Sequence, residues 1–168
     1  MSQRTFTVHT STGEPLEFRS LEGSEHISRL FEYRVKLLSP SATVAAKHLL
    51  GTDLSIEIDL TTQAAGCAQR YLSGQVTQFS YTGRDGDYYS YVAVLRPWLW
   101  HATRRSDFKI FQFKKVPHII KEVLGPYGFG IDDKLSGSYR TWDYMVQYTE
   151  TDFSFAARIM EIGGSYFF

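Results

Sequence analysis

The sequence has 168 residues, enough for one ordinary domain or two small ones whose cores stand without staples. Its 18 Lys and Arg balance 18 Asp and Glu, which argues against a general polyanion binder, and the single cysteine, Cys67, excludes an internal disulfide and permits folding in a reducing compartment. No stretch approaches the roughly 20 apolar residues of a membrane-spanning helix, and Met1 to Val8 lacks the apolar run of a signal peptide, so neither a span nor export by a cleaved signal is expected.

Aromatic content is high, with 12 Phe, 11 Tyr and 3 Trp, which suits β structure and exceeds what one small core hides, so some of these rings are expected to meet a partner. In chain order, Arg4 to Thr10 alternates with Phe6 and Val8 on one face, and Ser11-Thr12-Gly13-Glu14-Pro15 turns it into a run at Leu16 to Leu21, predicting a hairpin. Glu22 to Ser28 is polar and reads as loop. Leu30 to Leu38 alternates again, with Phe31, Tyr33, Val35 and Leu37 inward and Glu32, Arg34 and Lys36 outward. A short helix is predicted from Ala42 to Leu50, ended by Gly51, then a strand from Thr52 to Leu60 with Leu54, Ile56 and Ile58 inward, then a loop from Thr61 to Gln69. Tyr71 to Tyr81 and Asp87 to Leu95 flank Thr82-Gly83-Arg84-Asp85-Gly86 as a second hairpin, which Pro97 terminates because it brings no N–H to a ladder. Phe31, Tyr33, Val35, Ile56, Ile58, Val76 and Val92 are expected to fill the interior of an antiparallel barrel.

Beyond Trp98 and Trp100 the pattern mixes strand and helix. Phe108 to Phe113 reads as a strand, and Val116 to Leu124 as a helix with Pro117 at its first position, Gly125 as cap and Val116, Ile119, Ile120, Val123 and Leu124 on one face. Tyr144 to Tyr148 is a further strand, and Thr149-Glu150-Thr151-Asp152 resembles a capping box, with Thr149 as cap, opening a helix that Gly163-Gly164 closes. The expected fold class is therefore α+β, mainly β: an antiparallel β-barrel over residues 1–97 followed by a small α/β lobe over 98–168. The aromatic end Ser165-Tyr166-Phe167-Phe168 reads as the start of a strand, so the chain is expected to be cut from a longer protein.

Each pattern that might carry chemistry has a plainer explanation. Between Arg96 and Lys121 seven basic residues and the single acid Asp107 alternate with Trp98, Trp100, Phe108, Phe111 and Phe113, the composition of a single-strand nucleic-acid platform; core aromatics with solvated basic neighbours produce the same pattern and are the preferred reading. Gly125 to Gly130 contains a Gly-x-Gly, but it follows a helix and lacks the rest of a phosphate cradle. Cys67 has no neighbours that would activate it, His9, His26, His48, His101 and His118 show no ligand spacing, and nothing in the sequence brings Asp132 and Asp152 together as a glycosidase pair. No catalytic residue, metal or cofactor is expected, and the chain is read as a non-enzyme.

At Leu95-Arg96-Pro97-Trp98-Leu99-Trp100, followed by Ile110 to Ile120, the sequence resembles the VgrG family, the spike proteins of type VI secretion systems. Tyr33 to Pro40, Leu49-Leu50-Gly51, Leu72 to Phe79, Leu135 to Tyr139, Val146 to Phe153 and Gly163 to Phe168 match the same family in the same order. The resemblance is to the family's amino-terminal part, itself similar to the hub of contractile phage tail baseplates. It implies β-barrel domains that trimerise into a pseudo-sixfold ring, seated on the Hcp tube among baseplate components, with a PAAR tip and effectors carried by parts of the family that this sequence does not match. It also implies assembly in the cytoplasm followed by release through the secretion apparatus without a signal peptide. A contractile phage tail hub, and a free glycan- or nucleic-acid-binding β module, are the alternatives. In the family the ring closes through two barrels per subunit and this sequence matches the first, so monomers or weak, irregular association are expected in place of a stable ring.

Overall fold

A computed structural model describes residues 6–59 and 69–168. Cys67 and nearly all of the loop expected at Thr61 to Gln69 lie outside these residues. Among the described residues, eight strands and three α-helices follow in the order β1 (Phe6–Thr10), β2 (Glu17–Ser24), β3 (Glu32–Ser39), α1 (Ala46–Leu49), β4 (Asp53–Asp59), β5 (Gln69–Asp85), β6 (Tyr88–Arg96), β7 (Ser106–Lys115), α2 (Val116–Leu124), β8 (Thr141–Thr151) and α3 (Asp152–Ile162). Short 3-10 turns cover Trp98–Thr103 and Gly125–Tyr127.

The first six strands form one curled antiparallel sheet, a half-barrel, in the order β1-β4-β5-β6-β3-β2. The central β5–β6 hairpin is as expected, but its strands run on past the predicted turn: the ladder continues to Asp85↔Tyr88, and Gly86 turns the chain with φ +63°. The hairpin predicted for β1 and β2 does not form. β1 pairs with β4, setting Val8 opposite Ile56 and Phe6 opposite Ile58, while β2 pairs with β3, so the two predicted partners lie on opposite edges of the sheet. Curling brings those edges back together: the rings of Phe6 and Phe18 stack at 4.4 Å, although no hydrogen-bonded ladder joins β1 to β2 among the described residues.

The concave core of this sheet holds Tyr33, Val35 and Leu37 from β3, Leu54 and Ile56 from β4, Val76 from β5 and Tyr91, Ala93 and Leu95 from β6, with Leu16, Val44 and Leu49 added from the connections. Val92, expected inside, pairs with Lys36 on the opposite face, and Ala93 takes the inward place beside Val35. Tyr88 to Leu95 is apolar or aromatic at both parities, so alternation alone did not fix which set points inward. Phe31 and Ile58 are half-buried at the margin of this core. The predicted Ala42–Leu50 helix contracts to the single turn of α1.

A second core is built from β7, β8, α2 and α3. The five predicted apolar positions of α2 are all buried, because they recur at the spacing of one helical face. The helix starts one residue before Pro117, and Gly125 stays right-handed; the chain leaves helical geometry at Gly128, φ +76°. For α3 the cap is Thr151, not Thr149: its hydroxyl accepts from the Ser154 N–H at 3.0 Å, and Thr149 still lies in β8, with φ +56°. Chain contacts separate two units, one of residues 1–25 and 31–97, the other of residues 26–30 and 98–168. In the second, the Ser28 N–H donates to the Phe167 carbonyl at 2.8 Å, and Leu30, read from sequence as the start of β3, packs against this core. The expected strand at the end of the chain is irregular. No helix among the described residues is long and apolar enough to cross a membrane.

Candidate functional site

The carboxylates singled out for chemistry, Asp132 and Asp152, have separate partners. Asp152, the first residue of α3, is buried and accepts from Gln147 Nε2 at 2.7 Å and from the Tyr127 hydroxyl at 2.7 Å, with Arg105 Nε at 3.8 Å. Its own N–H donates to the Arg105 carbonyl at 2.9 Å. A carboxylate at a helix N-terminus with these donors is a structural junction that ties the end of β8 to the turn after α2 and the segment before β7. Burial, reinforced by the hydrogen bond to Asp152, pushes the Tyr127 hydroxyl up to about 12, so it remains a donor at any ordinary pH. Asp132 lies exposed beside Lys134 at 3.0 Å and shares none of these partners, so the structure does not join it to Asp152 as a working pair.

Much of the basic run is paired within the fold, and of its aromatic residues Phe111 is core, whereas Phe108 and Phe113, expected as core, are exposed. Lys109 Nζ lies 2.9 Å from Glu122 Oε1, Lys114 bonds the other oxygen of the same carboxylate, Lys121 pairs with Asp133 at 2.5 Å, Arg96 with Glu32 at 2.5 Å, and Arg104 lies over the Trp100 ring at 5.5 Å. Hydrogen bonds from Lys109 and Lys114 hold Glu122 below the usual carboxylate range, and one from Lys121 does the same for Asp133. Phe111 is buried between β7 and α3, where it stacks on Phe155 at 5.5 Å. An open depression of about 500 Å³ is lined by Phe113, Lys114, Lys115, His118, Glu122 and Thr141, with no nucleophile, base and orienting group in line. His9 lies on Glu57 at 2.7 Å and His101 is parallel to Phe129, and the described residues contain no cluster of three or more His, Cys, Asp or Glu suited to a metal ion.

What the geometry does offer is surface. The β7–β8 ribbon turns Phe111, Met145 and Gln147 toward the helices and presents Phe108, Ile110, Tyr144 and Tyr148 on its other face, each about two-thirds exposed. Phe113 adopts φ +52° and is exposed at the end of the ribbon, where it lines the depression beside His118 while Lys114 reaches to Glu122. Sequence periodicity marks β7 as a strand but does not reveal that both of its faces are apolar, since Lys109 and Lys114 intervene in the run.

Comparison with known proteins places this architecture. The phage tail baseplate hub (GPD) family matches residues 24–168. The chain belongs to that family. Among its relatives are the type VI secretion system spike proteins VgrG1c and VgrG1b of Pseudomonas aeruginosa, 42% and 39% identical, each over 99% of this chain but only 23% and 22% of the relative. VgrG3 of Vibrio cholerae is 31% identical over 87% of the chain and 15% of the relative. The chain thus spans about a quarter or less of the length of these spike proteins. Among solved structures, the E. coli c3393 protein, described as a type VI secretion component structurally similar to the T4 phage tail proteins gp27 and gp5, superposes with a TM-score of 0.78 at 23% identity, covering 92% of this chain and 42% of its own. The 43 kDa tail protein of prophage MuSo2 from Shewanella oneidensis gives 0.61 at 14% identity, over 96% of this chain and 49% of its own. Both share the fold of this chain.

Proposed function

We propose that this chain supplies the base of a type VI secretion spike, as a structural part and not as an enzyme. The observation that carries the reading is the 42% identity to the spike protein VgrG1c along essentially the whole chain, on a half-barrel of the hub family. The occupied state of Asp152, Glu122 and Asp133 supports a scaffold, because each carboxylate is engaged by donors of the fold itself. In this role the chain is a barrel unit (1–97) and a smaller unit (98–168) of a trimeric hub that docks on the Hcp tube and the baseplate, with the PAAR tip and effectors borne by other parts of the spike. Assembly takes place in the cytoplasm and release runs through the apparatus without a signal peptide; no cofactor, metal, nucleic acid or membrane segment takes part. A phage tail hub is the second reading, favoured by the likeness to the MuSo2 tail protein.

The test is a chimera in which this chain replaces the matching quarter of VgrG1c in a strain lacking its spike proteins. Export of Hcp into the medium is the expected outcome. A folded, trimeric chimera that exports no Hcp would overturn the spike reading and leave the tail hub.

A further inference from the structure

The connection between β2 and β3 is longer than a hairpin needs. β2 ends at Ser24, β3 begins at Glu32 and these two residues pair, a geometry that a turn of roughly two to five residues closes. The chain uses residues 25–31 instead, and His26 to Leu30 group with the second unit although both flanking strands belong to the first. We propose that residues 26–30 are a strap of the second core: they open and close with that core as one piece, and not with the sheet whose strands they join.

Consecutive side chains divide at the end of the strap: Leu30 packs against the second core and Phe31 against the first. In the middle, the Ser28 N–H donates to the Phe167 carbonyl at 2.8 Å, where an ordinary hairpin loop would bond to water, and the Arg29 N–H closes a turn on the His26 carbonyl at 3.3 Å. Ser28 is held at φ +59°, a left-handed conformation that persists in a residue of this kind only where its surroundings over-determine it. The acceptor is itself fixed. Gly164, φ +67°, follows α3; its N–H donates to the Glu161 carbonyl at 3.1 Å and the Ser165 N–H to the Met160 carbonyl at 2.9 Å, the paired bonds that stop a helix and turn the chain back along it. Phe167 is thereby brought to the second core, where its ring meets Phe153 edge to face at 6.0 Å. On the near side of the strap, Glu25 accepts from the Tyr33 hydroxyl and stays with the first unit. The boundary between the two folding units thus falls within the connection, at Glu25 and again at Phe31, and opening of the second core releases the turn between β2 and β3 without breaking their ladder.

The strap is independent of the spike reading, and its test uses the whole 168-residue chain. Native-state hydrogen exchange should find the Ser28 amide protected about a hundredfold or more although the residue is exposed, with that protection falling about tenfold or more in Phe155→Ala and holding in Leu37→Ala. In the unsubstituted protein, low urea should bring the exchange of this amide into step with the amides of α3 and not with those of β3, which keeps the comparison open should Phe155→Ala fail to fold. Tryptophan fluorescence, from three rings that all lie in the second unit, is a further readout. Leu30→Ala should lower its urea midpoint by roughly 0.5 M and leave the far-ultraviolet dichroism of the sheet in place, while Ile27→Ala, at an exposed position of the same strap, should move neither. Ser28→Pro, which removes the donor and cannot take a positive φ, should lower the same midpoint; Ser28→Gly, which keeps the donor and relaxes φ, should not. An unprotected Ser28 amide, protection that follows Leu37→Ala or the β3 amides, or a Leu30→Ala variant that shifts the sheet signal and not the fluorescence would each overturn the proposal.

Discussion

Gly23 sits opposite Tyr33 in the β2–β3 ladder, and the Tyr33 ring lies across the place where a side chain would be. A Cβ built there falls 2.6 Å from Tyr33 Cδ1 and closer still to the Glu32 carbonyl oxygen, distances that no real Cβ tolerates. Tyr33 is held on the other side by stacking with Phe31 at 4.7 Å and by a hydrogen bond to Glu25, so the ring has nowhere to retreat. Gly23→Val should therefore cost about 1–3 kcal/mol as an overpacking change, read as a lower denaturant midpoint with an unchanged slope. An unmoved midpoint would mean that β2 peels from the sheet edge without consequence. Tyr127 offers a second test at this scale. Removing its hydroxyl leaves the buried Asp152 short of one donor, so Tyr127→Phe should cost roughly 1–3 kcal/mol near neutral pH. Because the folded-state value is raised above the ordinary 10.0, that stabilisation is fully present below pH 10 and is lost as pH rises through about 12. The gap between wild type and variant should close in that alkaline window; a gap that persists there would show that the hydroxyl acts through packing and not through its proton.

Among the elements, α2 shows how ion pairs and apolar packing divide the work. Its buried face carries Val116, Ile119, Ile120, Val123 and Leu124, while Glu122 on its other side receives Lys109 and Lys114 from β7. Glu122 is 36% exposed, so solvent screening keeps the pair to about 1 kcal/mol or less, and Glu122→Gln should lower stability only by that amount at pH 7. Its folded value lies below the ordinary 4.5, so this contribution is present above pH 4.5 and disappears as pH falls through the lowered value. Equal stability of wild type and Glu122→Gln at pH 7, measured by urea titration at low salt, would remove the pair from the account. This helix was legible in the sequence because proline, apolar periodicity and a glycine stop all agreed. The β3 strand was legible for the same reason, with Tyr33, Val35 and Leu37 alternating against charges. What the sequence did not carry was pairing at a distance: β1 and β2 look like hairpin partners because they are neighbours in the chain, yet β1 finds the Ile56 and Ile58 alternation of β4. The cap at Thr151 was missed because Thr149 and Thr151 are equivalent by type, and the choice falls to the β7 ladder, which holds Ser106 against Thr151. The outward apolar face of β7–β8 was hidden because Lys109 and Gln112 interrupt the run of Phe108, Ile110 and Phe111, so periodicity shows a strand but not which of its sides is left uncovered.

At the scale of the whole chain, the decisive fact is that the buried residues form two separate cores, one in the half-barrel and one around β7, β8, α2 and α3. Each is built from its own strands, and each contains side chains with no exposure at all, Val35, Leu37 and Leu54 in the first and Ile119, Phe155 and Ile159 in the second. All three tryptophans, Trp98, Trp100 and Trp142, lie in the second unit, so tryptophan fluorescence reports on that unit alone. Leu37→Ala should cost about 2–5 kcal/mol and Phe155→Ala about 3–5 kcal/mol, since both leave cavities in close-packed surroundings. If the units unfold as separate cooperative blocks, Phe155→Ala moves the fluorescence transition to lower urea, whereas Leu37→Ala leaves it in place and shifts only the far-ultraviolet dichroism contributed by the sheet. Coincident movement of both signals for both variants would show a single cooperative unit and would overturn the division.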